Sequence, residues 1–348
     1  MKYLKYFLVF IPLSIVGYII HWDSSILFFM TCASIVPLAG YLGEATEVIA
    51  SYTGPKFGGF LNATFGNATE LIIGIFALKA GMIDVVKASL AGSVLGNILL
   101  VLGCSILVGG LKHKELKFDA KLGSFTATML LFAVIGLSIP AAFTYSIPEK
   151  IISSKYENFS VIVGAIMLLM YVVGMIYSFR TQTDLYGVEH AEEVDLQWNL
   201  PISVLILSVA TIFIAIESEM LVNTLEPMTK AMGIPELFVG LILIPIVGNA
   251  AEHSTAVVMA LKNKMDISIE IAVGSSLQIA MFVMPLLVIV SMFFVPMSII
   301  FKPIELFILG SSVLIANQIV SSGNANWMEG LKLLSVYSIA AVGFFIIP

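Results

Sequence analysis

Gly66-Asn67-Ala68-Thr69-Glu70 recurs 182 residues later as Gly248-Asn249-Ala250-Ala251-Glu252, and this doubled pentapeptide decides how the chain is read. Four identities in five are within reach of chance in 348 residues, so the flanks matter. At the same offset Asp84 matches Asp266, Gly92-Ser93 matches Gly274-Ser275 and Leu95 matches Leu277. Ala77-Leu78-Lys79 matches Ala260-Leu261-Lys262 after one inserted residue. A run of matches at one offset is an internal repeat.

The repeat lies in a chain whose main solvent is not water. It is 59% hydrophobic with a mean hydropathy of +1.02, and its 11% of charged residues compares with about 25% in a soluble domain. Cutting at charge clusters and turn residues gives eleven candidate membrane spans, 3–21, 25–50, 58–81, 84–111, 119–143, 158–180, 199–221, 236–262, 266–296, 301–320 and 329–347. No room remains for a soluble catalytic domain. Lys2 and Lys5 precede an apolar run without a clear cleavage site, so this run reads as a retained first span. With the N-terminus inside, eleven basic residues collect at cytoplasmic ends against six outside, most densely between Lys112 and Lys121. The net charge of -6 and the lack of a basic run set nucleic acid aside, and Cys32 and Cys104, both in apolar stretches, offer neither a disulfide framework nor a zinc knuckle.

The longest polar connection follows Arg180 and carries Asp184, Glu189, Glu192, Glu193 and Asp195 with no Lys or Arg. It has none of the Gly and acidic spacing of a calcium-binding hand. It divides the chain into a first span (1–22), a five-helix half (23–180), an acidic cytoplasmic linker (181–198) and a second five-helix half (199–348). The motif copies fall in the third and eighth spans, an odd number of crossings apart, so they run through the membrane in opposite directions. The fold class expected is therefore an all-α polytopic membrane protein of eleven transmembrane helices, one N-terminal span plus two inverted five-helix repeats. Secondary transporters with this arrangement bind their cargo at the repeat interface near the midplane.

Glu70 and Glu252 each fall near the middle of an apolar span, where an ionisable group costs several kcal/mol unless it has a partner or a function. Each has an Asn three residues earlier on the same helical face, Asn67 and Asn249, and each Asn follows a Gly, Gly66 and Gly248, where the helix is expected to break. Two carboxylates, two amide oxygens and freed carbonyls make an all-oxygen shell suited to a hard cation such as Ca²⁺. Soft metals are disfavoured, with no clustered thiolates or His. Two carboxylates held close in a low dielectric do not both stay ionised in an empty site, so protons compete with the metal. A site that holds either a divalent cation or protons is the physical core of a cation/proton antiporter. His253, directly after Glu252, is a candidate proton relay, although the first copy has Leu71 there and a lone His is often only a packed hydrogen-bond donor. Ser93 with Asn97 and Ser275 with Gln278 share helix faces in flanking spans and either line the site or glue helices together. Glu44 and Glu47, and Glu217 and Glu219 near the outer end of the seventh span, read as interface residues.

The paired motifs, extended to Gly66-Asn67-Ala68-Thr69-Glu70-Leu71 and Gly248-Asn249-Ala250-Ala251-Glu252-His253 about an acidic linker, resemble the calcium/proton exchanger family of the cation/calcium exchanger superfamily. The resemblance implies eleven spans, a regulatory acidic segment, and Glu70 and Glu252 as the central cation and proton carriers. It implies export of Ca²⁺ from the cytoplasm against protons, with Ca²⁺ and H⁺ as transported ions, no cofactor and no enzymatic step. The membrane would be the plasma membrane in a bacterium or a vacuolar or organellar one in a eukaryote, and a homo-oligomer is compatible with the chain. Two readings compete: a sodium/calcium exchanger on the same architecture, and a passive channel. An intramembrane hydrolase finds no HExxH or Gly-x-Ser-x-Gly elbow.

Overall fold

The structure is a computed structural model that describes residues 4–53, 58, 61–62, 64–146, 153–181 and 198–346. A 3-10 turn, Leu4–Val9, leads into α1 (Phe10–Ile19), followed by α2 (Ser24–Thr53), α3 (Ala68–Lys79) and α4 (Ile83–His113). A short strand β1 (Glu115–Lys117) precedes α5 (Ala120–Ser146), α6 (Ser153–Thr181) and α7 (Leu200–Met232). Then come α8 (Glu236–Gly248), α9 (Ala250–Leu261), α10 (Met265–Ser291), α11 (Pro303–Val320), β2 (Asn324–Asn326) and α12 (Trp327–Ile346). In hydrocarbon every backbone polar group must be satisfied within the protein, and helices of this length do so internally.

Among the described residues eight helices are long and apolar enough to cross a membrane, or nine when α8 and α9, bent by 64° at a short break, count as one span. Lys5–Ile19 is a shorter apolar helix, and the candidate span 58–81 is described only in part, with α3 as its second half. The acidic stretch 182–197 lies outside the described residues. The chain is thus a polytopic all-α membrane protein.

Helix ends follow local chemistry. Asn199 caps α7, its Oδ1 accepting from the Ile202 amide at 3.1 Å, and Gly233 closes α7 in the left-handed conformation (φ 65°). Glu305 accepts from the Lys302 amide at 2.9 Å at the start of α11, and Glu329 accepts from the Asn326 amide at 2.6 Å at the start of α12.

The chain folds into two compact units, each drawing helices from before and after the acidic linker. One comprises Met1–Ser89, Gly187–Glu252 and Phe344–Pro348, the other Leu90–Tyr186 and His253–Gly343. In the first unit α2 packs along α7, and α1 and α3 pack on the same pair. Its apolar cluster joins Leu38 and Leu42 of α2, Ala68 of α3, and Ala210 and Ile214 of α7, with Ile11, Phe65 and Ile72 against it.

In the second unit β1 pairs antiparallel with β2, Leu116 opposite Ala325. Lys112 donates to the Leu261 carbonyl at 3.0 Å, where a cation suits the carbonyl end of α9, and Asp266 accepts from the Asp119 amide at 2.6 Å. These contacts gather the connections after α4, α9 and α11 at one end, as alternating crossings require. Helices α5 and α6 turn stripes of large apolar side chains outward, Ile135, Ile139 and Phe143 on the first and Ile162, Ile166 and Val173 on the second, as lipid contact demands. Helix α4 exposes only Leu111 among its large hydrophobic residues, and α10 exposes none. Helices apolar all round are enclosed ones, and these two flank the motif copies in sequence.

Candidate functional site

Both motif copies occupy a helix break with one backbone geometry. Residues 64–65 are helical, Gly66 and Asn67 form a turn, and α3 restarts at Ala68; α8 ends at Gly248 and α9 restarts at Ala250. Asn67 (φ -107°, ψ 21°) and Asn249 (φ -101°, ψ 11°) sit at these breaks in nearly the same conformation. The break expected from Gly-Asn is present twice. Glycine is needed at the first, where a Cβ would collide with the Asn62 carbonyl, and favoured at the second, where a Cβ would lie 3.1 Å from Oε1 of Glu70. Glu70 and Glu252 are each the third residue of the restarted helix, where the positive end of the helix dipole favours a carboxylate.

That Gly248 contact joins the two copies. Glu70 of the first copy packs on the Gly248 backbone of the second, and the Asn249 side chain donates a hydrogen bond to its carboxyl. The Asn249 amide also donates to the Pro245 carbonyl at 3.0 Å, so both of its hydrogens are committed. Glu70 and Asn67 are buried, and Oε1 of Glu70 has no hydrogen-bond partner. A buried acceptor atom with no donor is what a cation or a proton would satisfy. Glu252, one turn beyond Asn249, is half-buried.

The flanking candidates form a second cluster. Asn97 lies in a π-helical segment of α4, Gly96–Val101, and its Oδ1 is 3.1 Å from Nε2 of His253. Its Nδ2 is buried without a partner. The π segment packs against the stretch of α10 that holds Ser275 and Gln278. Ser93 and Ser275 are buried, and Gln278 is partly so. Of the two π segments in α10, Glu270–Gly274 and Ile279–Val283, the second overlaps the repeat counterpart of Gly96–Val101. Such π segments concentrate at functional sites. Their presence was not legible in the sequence.

One expectation is corrected. Glu219 is exposed, but Glu217 is fully buried, its Oε1 2.7 Å from Oγ of Ser14. Helix α7 runs to Met232 rather than ending near 221, which places Glu217 mid-helix instead of at an interface. The overlooked signal was Ser14 and Ser34 in two other apolar spans.

The family model described as sodium/calcium exchanger protein matches residues 24–180 and 202–346, one stretch on each side of the acidic linker. The chain belongs to this family. Among its relatives, the Ca(2+)/H(+) antiporter ChaA of Bacillus subtilis (strain 168) is 46% identical over 343 residues, covering 97% of each chain. The Ca(2+)/H(+) antiporter of Aphanothece halophytica is 44% identical over 361 residues, covering 98% of this chain and 95% of the relative. A crystal structure of the Ca2+/H+ antiporter protein YfkE superposes with a TM-score of 0.86 at 41% identity, covering 100% of each chain. Within the superfamily the chain therefore sits in the calcium/proton exchanger family, a family of multi-pass secondary transporters and not of enzymes.

Proposed function

We propose that the protein is a calcium/proton antiporter that exports Ca²⁺ from the cytoplasm in exchange for protons, by alternating access at a midplane site built on Glu70 and Glu252. The observation that carries this reading is the packing of Glu70 against Gly248 and Asn249, because it brings the chemistry-bearing residues of two sequence-distant copies to one place. The two Glu carboxyls supply charge, the side-chain oxygens of Asn67 and Asn249 and the carbonyls of Gly66 and Gly248 supply neutral ligands, and the sum suits a hard divalent cation. Among the described residues no three His, Cys, Asp or Glu side chains converge, which leaves neutral oxygens to complete the shell.

The carboxyls also supply the coupling. When Ca²⁺ leaves, the carboxyl pair regains neutrality by taking protons, so the site is reset by protonation rather than crossing the membrane empty and charged. The same reading assigns eleven spans, one N-terminal and two inverted sets of five. The matching Asn67 and Asn249 breaks and the offset-related π segments support it. In this reading His253, whose Nε2 meets Asn97 Oδ1 at 3.1 Å, passes protons to or from the neighbouring Glu252. The deciding experiment is calcium uptake into proteoliposomes under an imposed pH gradient, with and without sodium. Uptake should follow the pH gradient and ignore sodium. Uptake driven by a sodium gradient and insensitive to collapse of the pH gradient would assign the protein as a sodium/calcium exchanger, and flux without coupling would make it a channel.

A further inference from the structure

Outside the motif site, the described residues of the first unit hold one more fully buried carboxyl. Glu217 of α7, Ser14 of α1 and Ser34 of α2 are each 0% exposed. Oγ of Ser14 lies 2.7 Å from Oε1 of Glu217, 2.8 Å from the Ile11 carbonyl and 3.5 Å from Oγ of Ser34. Ser34 is 3.0 Å from the Met30 carbonyl and is within hydrogen-bonding reach of the same carboxyl. Oε2 of Glu217 is buried without a partner.

Counting hydrogens decides the state of this cluster. The two hydroxyls own one hydrogen each, and three acceptors compete for them: the Ile11 carbonyl, the Met30 carbonyl and the Glu217 carboxyl. If Glu217 were ionised, a full charge inside the protein would rest on at most the two hydroxyl hydrogens of Ser14 and Ser34, with Oε2 bare and no cation beside it, an arrangement that buried charges avoid. A hydrogen on the carboxyl itself removes the conflict. Glu217 then donates to Oγ of Ser14, each serine donates to its own helix carbonyl, and no charge is buried. The neighbours agree. Cys32 of α2, near Glu217, is a buried thiol and brings no positive charge. Tyr18 of α1, Glu44 and Glu47 of α2, Glu70 and Lys79 of α3, and Glu236 of α8 make neither a hydrogen bond nor an ion pair with it among the described residues.

The cluster also has a mechanical position. Ile11 and Ile214, each three residues from Ser14 and Glu217 on the same helix faces, belong to the apolar cluster that grips Phe65, Ala68 and Ile72 around the first motif break. We propose that Glu217 is a second proton-binding site, occupied in this conformation, whose hydrogen fastens α7 to α1 and so holds the cluster on which the first motif helix rests. Glu217 is then a positioning residue, separate from the cation site, and the proposal stands whichever ions the motif carboxyls exchange.

Infrared spectroscopy of the full chain in lipid nanodiscs tests it. At neutral pH the C=O stretch of a protonated carboxyl should persist in Glu70→Gln/Glu252→Gln and vanish when Glu217→Gln is added. In Ser14→Ala, which removes the acceptor, the Glu217 band should move to higher frequency. Glu217→Gln, which keeps a donor and an acceptor, should melt close to the parent at neutral pH and above it at alkaline pH, where only the parent gains a buried charge, while Glu217→Ala should melt well below both. The proposal is overturned if no Glu217-dependent protonated band exists, if that band ignores Ser14→Ala, or if parent and Glu217→Gln lose stability in parallel as pH rises.

Discussion

The two motif copies share a backbone and differ in surroundings. Asn67 and Asn249 adopt nearly the same φ and ψ, and Glu70 and Glu252 occupy the same position of the restarted helix. Yet Ala68, Thr69 and Glu70 are all buried, Glu70 beneath Gly248, whereas Glu252 is half-buried and followed by exposed Ser254 and Thr255. The first copy has Leu71 after its Glu, and the second has His253, tied to Asn97. Repeat symmetry fixes the local fold, and packing sets each carboxyl's access. Unequal environments for two matching motifs are what the proposed alternating access would require of any single conformation.

The largest effect should come from removing either charge. Glu70→Gln and Glu252→Gln keep the shape of the side chain but can neither carry a proton nor supply the second negative charge, so each should reduce exchange to background while the protein still inserts. Normal uptake in one variant would show that the copies do not act as a pair. Next is Gly248→Ala, whose new Cβ would press on Glu70 at 3.1 Å. Overpacking costs about 1–3 kcal/mol, so calcium affinity should weaken roughly tenfold to a hundredfold. Gly343→Ala, with open space at its Cβ, should leave affinity unchanged.

A smaller loss is expected for Asn249→Ala, which strips the Glu70 carboxyl of its amide donor while the Pro245 carbonyl keeps the backbone N–H of residue 249. An unsatisfied buried group costs about 1–3 kcal/mol, and the loss should be read as weaker binding in calcium titrations. The smallest effect distinguishes the copies most finely. His253→Leu gives the second copy the residue of the first, and if His253 relays protons it should slow exchange a fewfold and alter its pH profile without abolishing it. An unchanged profile would reduce His253 to a packed partner of Asn97.

Much of this fold is legible in the sequence because lipid allows little else than long apolar helices, and charge clusters mark their ends. The breaks at Gly66-Asn67 and Gly248-Asn249 are legible because glycine appears where a Cβ collides with or crowds its neighbours. Other features were hidden for physical reasons. The π segments leave no composition signal, since one extra residue per turn alters hydrogen bonds rather than hydropathy. The end of α7 at Gly233 is a local signal, but the burial of Glu217 depends on which helices surround it and not on its own residues. The meeting of Glu70 with Asn249 was an expectation of the repeat, and only tertiary structure could provide the contact.

The central claim is that calcium and protons compete for the same two carboxyls. Calorimetric titration of the purified protein with calcium, in buffers of differing ionisation enthalpy, counts the protons released for each cation bound. At mildly acidic pH the count should be well above zero, calcium affinity should fall as pH falls because protons then occupy the site, and Glu70→Gln should lower the count. A count near zero at that pH would mean that the carboxyls are already ionised in the empty site, and competition between calcium and protons would have to be abandoned.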